Sequence, residues 1–525
     1  MPVTAMVVIP TNGYTKQRVL VDKVHSIISN RVLGEEEQYL VRWQTDYTTN
    51  TPPLSWHAIG ELMRCLDVVQ DYLEARAKSI QSAPLSRKRK SIDIAGGLER
   101  RPSPFGRRLQ QGGKHDSSSR SSSVSSAAPA SVNIYNGVLD VDDDHFTFCR
   151  PMNPKERHVA SNEPTKVAYF DISNILTAEM RIAAQEASVE KALRYIRNEY
   201  VGRLNKLKGT PIHLFNTVDS STPSLRFKYI YEYVLREGVY RASKETQQGC
   251  TQCSPHMGRN IGCEYTKKCD CLEYAPVDES RIPRDSEQWA EYQNYKKTGG
   301  STIGFPKKFP YFAEGVKRER AGCLVPFYLH SRHPIYECND KCGCGPACRN
   351  KQVQFGRTVE VEIFKTASDR GWGLRCKQDL HEGQFIDTYR GEIITDAEAT
   401  RRESVSSKAK GSYLYELDKF AETEGLEDTD VYVVDGEFMG GPTKFINHCC
   451  EPNCRQFTVS YNKHDCRVYD IAFFALRFIP AGQELTFDYL DKEEVDADDQ
   501  YVHGPAADAL PCLCGAEKCR KWLWT

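Results

Sequence analysis

CTQCSPHMGRNIGCEYTKKCDC, residues 250–271, and CNDKCGCGPAC, residues 338–348, carry nine of the 20 cysteines in the chain. They are Cys250, Cys253, Cys263, Cys269 and Cys271 in the first knot, and Cys338, Cys342, Cys344 and Cys348 in the second. Nine thiolates do not divide into separate four-ligand zinc sites. Six terminal thiolates and three bridging ones, the latter counted twice, fill the twelve positions that three tetrahedral zincs require. Such a cluster pins two distant segments together and replaces a hydrophobic core locally. A disulfide framework is not expected. The start, MPVTAMVVIPTNG, lacks the basic region and long apolar run of a secretory signal, and thiols clustered in a reducing compartment are metal ligands. A nucleic-acid-reading zinc finger is also disfavoured, because no His pair follows and no basic recognition helix is evident.

Downstream of the knots, residues 358–490 are rich in strands: VEVEIF, GQFIDTYRGEII, VYVVDG, RVYDIAFFAL and ELTFDY. A mainly β domain with short helices is expected there. The chain then ends in CLCGAEKC, residues 512–519. Cys512, Cys514 and Cys519 leave a tetrahedral zinc one ligand short. KFINHCCEPNC, residues 444–454, offers Cys449, Cys450 and Cys454, and spacing does not choose among them. Upstream, the pattern predicts one helix over about 178–207 and a strand at IHLFNTVD.

The whole chain has 525 residues, a prior of about three domains. Lys+Arg is 70 and Asp+Glu 71, which excludes a uniformly polycationic coat but not local patches. No apolar stretch is long enough to span a membrane, and no membrane partner is expected. Residues 15–80 read as a small α+β module: two alternating strands, then ELMRCLDVVQDYLEARA with Leu62, Leu66, Val69 and Leu73 on one stripe. Residues 81–135 are Ser-, Gly- and Pro-rich, with ten Lys/Arg against three Asp/Glu between Arg87 and Arg120. That composition predicts a disordered linker, with nonspecific attraction to nucleic acid or nuclear import as an added role.

The cysteine pattern taken with DRGWGL, YRGEIIT, SYLYELD, KFINHCCEPNC and ELTFDY resembles the SET-domain protein lysine methyltransferases. IHLFNTVD with PSLRF, the nine pre-SET cysteines and VDGEFMGGPTKFINH resemble its suppressor-of-variegation branch, which methylates lysine 9 of histone H3 and includes fungal heterochromatin enzymes. QYLVRW, Tyr47 and SWHAIGEL resemble a chromodomain. The implied fold is multidomain and mainly β. It has a chromodomain-like module (15–80), the linker (81–135), an N-terminal flank (136–245), a pre-SET zinc cluster (246–352), the SET domain (358–490), and a lid loop with a post-SET zinc site (491–525).

The resemblance implies three zincs on the nine pre-SET cysteines and a fourth on Cys450, Cys512, Cys514 and Cys519. It places S-adenosylmethionine against Arg370, Gly371, Trp372, Tyr413, Lys444, Asn447 and His448, with Trp522 and Leu523 as cover. Lys444 stands where the family usually has Arg. Tyr489 and Tyr413 become the catalytic residues. Phe487 lines the substrate channel, and because Phe lacks the hydroxyl that would crowd a methylated amine, di- and trimethylation are expected. Glu424, Glu427 and Asp428 could pair with an arginine of a basic tail. In the chromodomain-like part, Trp43 and Tyr47 match two of the three aromatics that cage methylated lysine on a histone; the third position falls near Val19. The expected partners are the histone H3 tail and the nucleosome, in nuclear chromatin.

The chemistry suits these residues. At pH 7 roughly one lysine amine in 2500 is neutral. An apolar channel next to a positive sulfonium lowers the amine's pKa, and a phenolic oxygen can then orient it. The rival expectations are a catalytically weak chromatin scaffold and a methyltransferase with another lysine target.

Overall fold

The computed structural model describes residues 6–11, 15–20, 24–43, 54–82, 176, 178–256, 263, 269–313, 320–405, 413–490 and 510–524. It divides into two compact units, Met1–Tyr195 and Ile196–Thr525. Among the described residues, no helix is long and apolar enough to cross a membrane.

In the first unit, strands Val24–Leu33, Glu36–Trp43 and Leu54–Ala58 form an antiparallel sheet, and a separate hairpin pairs Met6–Thr11 with Thr15–Leu20. Gly34 takes φ 63° at the turn between the first two sheet strands. The predicted helix starts at Leu66 and runs to Ser82, after a 3₁₀ turn at Ile59–Leu62. Leu62, Leu66, Val69 and Leu73 are all buried, as their spacing requires. The single helix expected over 178–207 is two, Ala178–Glu186 and Glu190–Asn205. The reason lies far away in sequence. The Glu37 carboxylate accepts the backbone N–H groups of Lys191 and Ala192 at 2.7 and 3.0 Å, which caps a new helix start. Arg76 in turn donates to the carbonyls of Ala184, Gln185 and Ala187, which satisfies the end of the preceding helix. Tyr47 and the side chain of Trp43 lie outside the described residues. So do nearly all of the linker and the loop 491–509.

The second unit is assembled from small sheets that join distant segments. Phe385–Tyr389, Asp470–Ala475, Cys454–Ser460 and Ile335–Tyr336 form one sheet in that order. Leu414–Glu416, Tyr432–Asp435, Glu392–Thr395 and Val234–Leu235 form another. Trp372–Cys376, Val361–Lys365 and Ile212–Phe215 form a third. Two of these sheets are closed by a parallel strand from the segment before the cysteine knots, so the flank is woven into the β domain.

The strand Asp470–Ala475 lies second in its sheet, and from Ile471 to Ala475 every residue is buried. Such a run reads as continuous apolar sequence because both faces are covered. Its alternation splits the core in two. The Phe474 ring lies 5.4 Å from Phe385 and 5.6 Å from Phe457. Phe473 points the other way, 4.8 Å from the Phe487 ring. Each such ring contributes about 2–3 kcal/mol by burial. Phe473 is fully buried behind the Phe487 ring and so braces it.

Candidate active site and metal centres

KFINHCCEPNC and ELTFDY meet as two short parallel strands, Asn447–His448 beside Thr486–Phe487. Two residues per strand give few ladder bonds, so side chains complete the join. Buried Asn453 accepts from Thr486 N–H at 2.8 Å and donates to the Glu484 carbonyl at 2.8 Å. Cys449 N–H donates to the Phe487 carbonyl at 3.0 Å. The junction fixes Tyr489, which is half-buried and directed inward. Its hydroxyl donates to the Ile446 carbonyl at 3.0 Å, and its ring lies 4.7 Å from Phe487 and 5.3 Å from His448. Burial and the neighbouring Tyr413 and Glu484 raise the Tyr489 hydroxyl above its ordinary pKa, so it stays protonated at neutral pH.

His448 links this tyrosine to a thiol. Burial pushes its pKa down to about 4, against the opposing pull of Asp488, so the ring is neutral. Nδ1 accepts Tyr489 N–H at 3.2 Å, which leaves the Nε2 proton to Cys450 Sγ at 3.3 Å.

Glu484 ties together Arg370 and Asn447, two residues that the resemblance assigns to the cofactor, and was not singled out from the sequence. Its carboxylate takes the Arg370 guanidinium at 2.5 Å and Asn447 Nδ2 at 2.9 Å. Asn447 Nδ2 also donates to the Trp372 carbonyl at 3.2 Å. Gly371 has φ 75°, and a Cβ built there would meet nothing within 4 Å. Two residues on, a Cβ on Gly373 would lie 2.9 Å from Glu484 Oε1 and from the Phe364 ring. The turn is therefore closed on its inner side and open at Gly371. The space next to the Gly371 backbone, beside Trp372, is thus unfilled by other side chains. Tyr413 lies on the Tyr489 side, where it adds to the rise in the Tyr489 pKa, and its carbonyl accepts the Tyr389 hydroxyl at 2.8 Å. Lys444 lies 5.0 Å above the Tyr413 ring and 4.3 Å from the Phe227 ring, and its ammonium donates to the Glu437 carbonyl. Trp522 and Leu523 lie half-buried on the terminal strand Trp522–Trp524, paired with Leu510–Pro511.

Glu424, Glu427 and Asp428 are exposed, around the short helix Ala421–Glu424 and the turn Asp428–Asp430. They do not act alone. Burial together with Asp418, Asp396, Asp428 and Glu403 raises the Glu416 pKa, on the neighbouring strand Leu414–Glu416. The acidic surface thus includes Glu416 and Asp418, in SYLYELD, which the sequence motif did not flag as charge-bearing.

The two cysteine knots converge. Three sets of four buried sulfurs each lie within 4.8 Å of one another: Cys250, Cys253, Cys263 and Cys269; Cys250, Cys271, Cys338 and Cys342; and Cys250, Cys263, Cys338 and Cys344. Cys263 and Cys338 each belong to two sets, as a thiolate shared by two metals would, and Cys250 lies near the sulfurs of all three. Cys348 joins them by accepting Cys263 N–H at 3.3 Å. The thiols are free, and neighbouring sulfurs are 3.3–3.9 Å apart. Sulfurs on a tetrahedral zinc at about 2.3 Å lie roughly 3.8 Å apart, so the spacing fits. Backbone N–H groups of Asn339 and Asn350 donate to Cys342 and Cys348 at 3.1 and 3.4 Å, as thiolates favour.

At the C-terminus, Cys450, Cys512, Cys514 and Cys519 form a fourth set within the same 4.8 Å limit. Cys450 is thus the partner that spacing left open. Cys454 is buried elsewhere, and Cys449 turns its thiol toward the Glu451 carbonyl at 3.4 Å.

A family model described as SET domain matches residues 371–490, and one described as Pre-SET motif matches residues 204–351. The chain is 38% identical over 321 residues to the histone-lysine N-methyltransferase, H3 lysine-9 specific KMT1, of Fusarium mangiferae, covering 60% of this chain and 88% of that protein. It is 37% identical over 320 residues to the H3 lysine-9 specific enzyme dim-5 of Neurospora crassa, with coverage of 60% and 88%. It is 31% identical over 376 residues to the H3 lysine-9 specific enzyme of Schizosaccharomyces pombe, with coverage of 70% and 66%. A solved structure of the Neurospora SET domain protein DIM-5 aligns at 34% identity over 55% of this chain and 97% of that one, with a TM-score of 0.43.

Proposed function

We propose, from the premise that this chain belongs to the SET-domain histone-lysine N-methyltransferases, that it methylates lysine 9 of histone H3 in nuclear chromatin. The observation that carries the assignment is the Tyr489 hydroxyl, fixed on the Ile446 carbonyl between Phe487 and His448, at the junction of the two motif strands.

When bound, S-adenosylmethionine supplies a methyl group on a positive sulfur. Arg370, Gly371, Trp372, Tyr413, Asn447 and His448 hold it, with Lys444 behind Tyr413 and with Trp522 and Leu523 as cover. Tyr489 gives its proton to Ile446, so its oxygen lone pairs are left to accept an amine N–H and aim the nitrogen lone pair. The Phe487 and Tyr489 rings, with Phe473 packed behind Phe487, keep water from the amine and favour its neutral form. His448 is not the base, because its Nδ1 is engaged by backbone. Rate enhancement then comes chiefly from alignment. Nine thiolates hold three zincs and Cys450, Cys512, Cys514 and Cys519 a fourth. Phe487 admits di- and trimethylation, and the acids around Glu424, Glu427 and Asp428 receive the basic tail. The N-terminal module and linker bring the enzyme to nucleosomes.

Transfer of labelled methyl to recombinant H3 tests this. Incorporation is expected on the wild-type tail and not on a tail with arginine at position 9. Equal labelling of both would overturn the site assignment.

A further inference from the structure

Two residues outside the cofactor and zinc sets face each other across the boundary between them. Asp488 lies between Phe487 and Tyr489 in sequence, and Arg520 follows Cys519 directly. The Arg520 guanidinium donates to both Asp488 carboxylate oxygens, one bond at 2.9 Å, and the side chains are only 10% and 11% exposed. A bidentate pair fixes orientation as well as distance.

Both ends are anchored. On the metal side, Arg520 N–H donates to Cys450 Sγ at 3.4 Å and Lys521 N–H to Cys519 Sγ at 3.3 Å. Lys521 takes φ 71°, an uncommon conformation for a residue with a side chain, and this curls two successive N–H groups onto sulfur. Cys512 N–H closes the turn on the Lys521 carbonyl at 2.7 Å. On the catalytic side, Asp488 Oδ1 also accepts Leu490 N–H at 3.1 Å. The strand before it, Thr486–Phe487, has two residues and cannot by itself fix the backbone beyond Phe487. Rotation of the backbone at Asp488 would swing both Phe487 and Tyr489.

We propose that the Asp488–Arg520 pair is a positioning device. It carries the folding of the Cys450, Cys512, Cys514 and Cys519 metal site to the Tyr489 hydroxyl, so the transfer turns over only when that turn is in place. This rests on the methyl-transfer function proposed above. His448, between Tyr489 N–H and Cys450, is a second strut; its ring also lies 5.3 Å from the Tyr489 ring and its Nδ1 3.6 Å from Asp488 Oδ1.

The test uses the full chain with zinc bound. Arg520→Ala should keep its zinc content yet lose roughly tenfold or more in kcat, with a smaller change in the KM for S-adenosylmethionine. Arg520→Lys, which keeps the charge but not the fork, should recover part of the loss. The double variant Asp488→Ala with Arg520→Ala should be no slower than the slower single variant, the mark of one shared interaction. Wild-type kcat in zinc-replete Arg520→Ala, or additive losses in the double variant, would overturn the proposal. Should Arg520→Ala not fold, Arg520→Lys and Asp488→Asn decide by the same criterion. Wild-type turnover is measured alongside. Absence of transfer by the wild type refutes the underlying function as well; normal transfer with an unaffected variant refutes only the pair.

Discussion

Tyr489 illustrates how much one side chain depends on three others. Ile446 takes its proton, Phe487 packs on its ring, and His448 holds its backbone. Tyr489→Phe should therefore lower kcat by roughly tenfold to a hundredfold, with zinc content unchanged by metal analysis. Phe487→Tyr should leave monomethyl transfer near wild type and suppress the trimethyl product in mass spectra of the tail, because a hydroxyl would fill space beside the amine. The raised pKa of Tyr489 predicts a pH profile as well. Its folded pKa lies above the ordinary value, so no loss of activity from tyrosine ionisation should appear below pH about 10. Instead kcat/KM should climb through pH 7–9 as the substrate amine loses its proton; a fall in that window that Tyr489→Phe abolishes would contradict this. Tyr489, Asn447 and His448 were legible in sequence because they sit in recognisable motifs. Glu484 sits in one too, but its task of gripping Arg370 and Asn447 is a relation between three motifs 114 residues apart at the extremes, and only folding reveals it.

Elements in this chain are short, and joins between them carry the architecture. Asn453 is the clearest case: Asn453→Ala would leave the buried Thr486 N–H unpaired and should cost about 2–3 kcal/mol in denaturant unfolding. Gly249 is another. A Cβ there would lie 2.4 Å from the backbone of Lys341, where the two cysteine knots touch. Gly249→Ala should push the knots apart and lower bound zinc below wild type, read by metal analysis. Strand positions such as IAFFA were legible because continuous apolar residues need two covered faces. The break between Ala178–Glu186 and Glu190–Asn205 was not, because its cause, the Glu37 carboxylate, lies over 150 residues upstream. Spacing alone did not choose Cys450 over Cys449 and Cys454, since adjacent thiols differ only in which way the chain turns them; the family resemblance did, and the sulfur positions agree with it.

At the scale of the whole molecule, thiolate sites stand in for apolar packing where the two cysteine knots meet. Among the described residues, the cluster that joins the two knots holds nine cysteines and only Leu272, Ala275, Phe309 and Tyr336 as further buried apolar residues. Apolar burial on that scale does not stabilise a unit of this size, whereas thiolate coordination can. The sequence announced this arithmetic by cysteine number alone, while the sharing of Cys263 and Cys338 between neighbouring sets of sulfurs emerged only from the fold. The central claim is that this metal-braced β domain brings a histone amine to a sulfonium at Tyr489. Mass spectrometry of H3 tails after incubation with the zinc-replete protein and S-adenosylmethionine tests it most directly. The account predicts successive gains of methyl mass on lysine 9, reaching di- and trimethyl species. An unmodified tail, or methylation confined to another lysine, would contradict it.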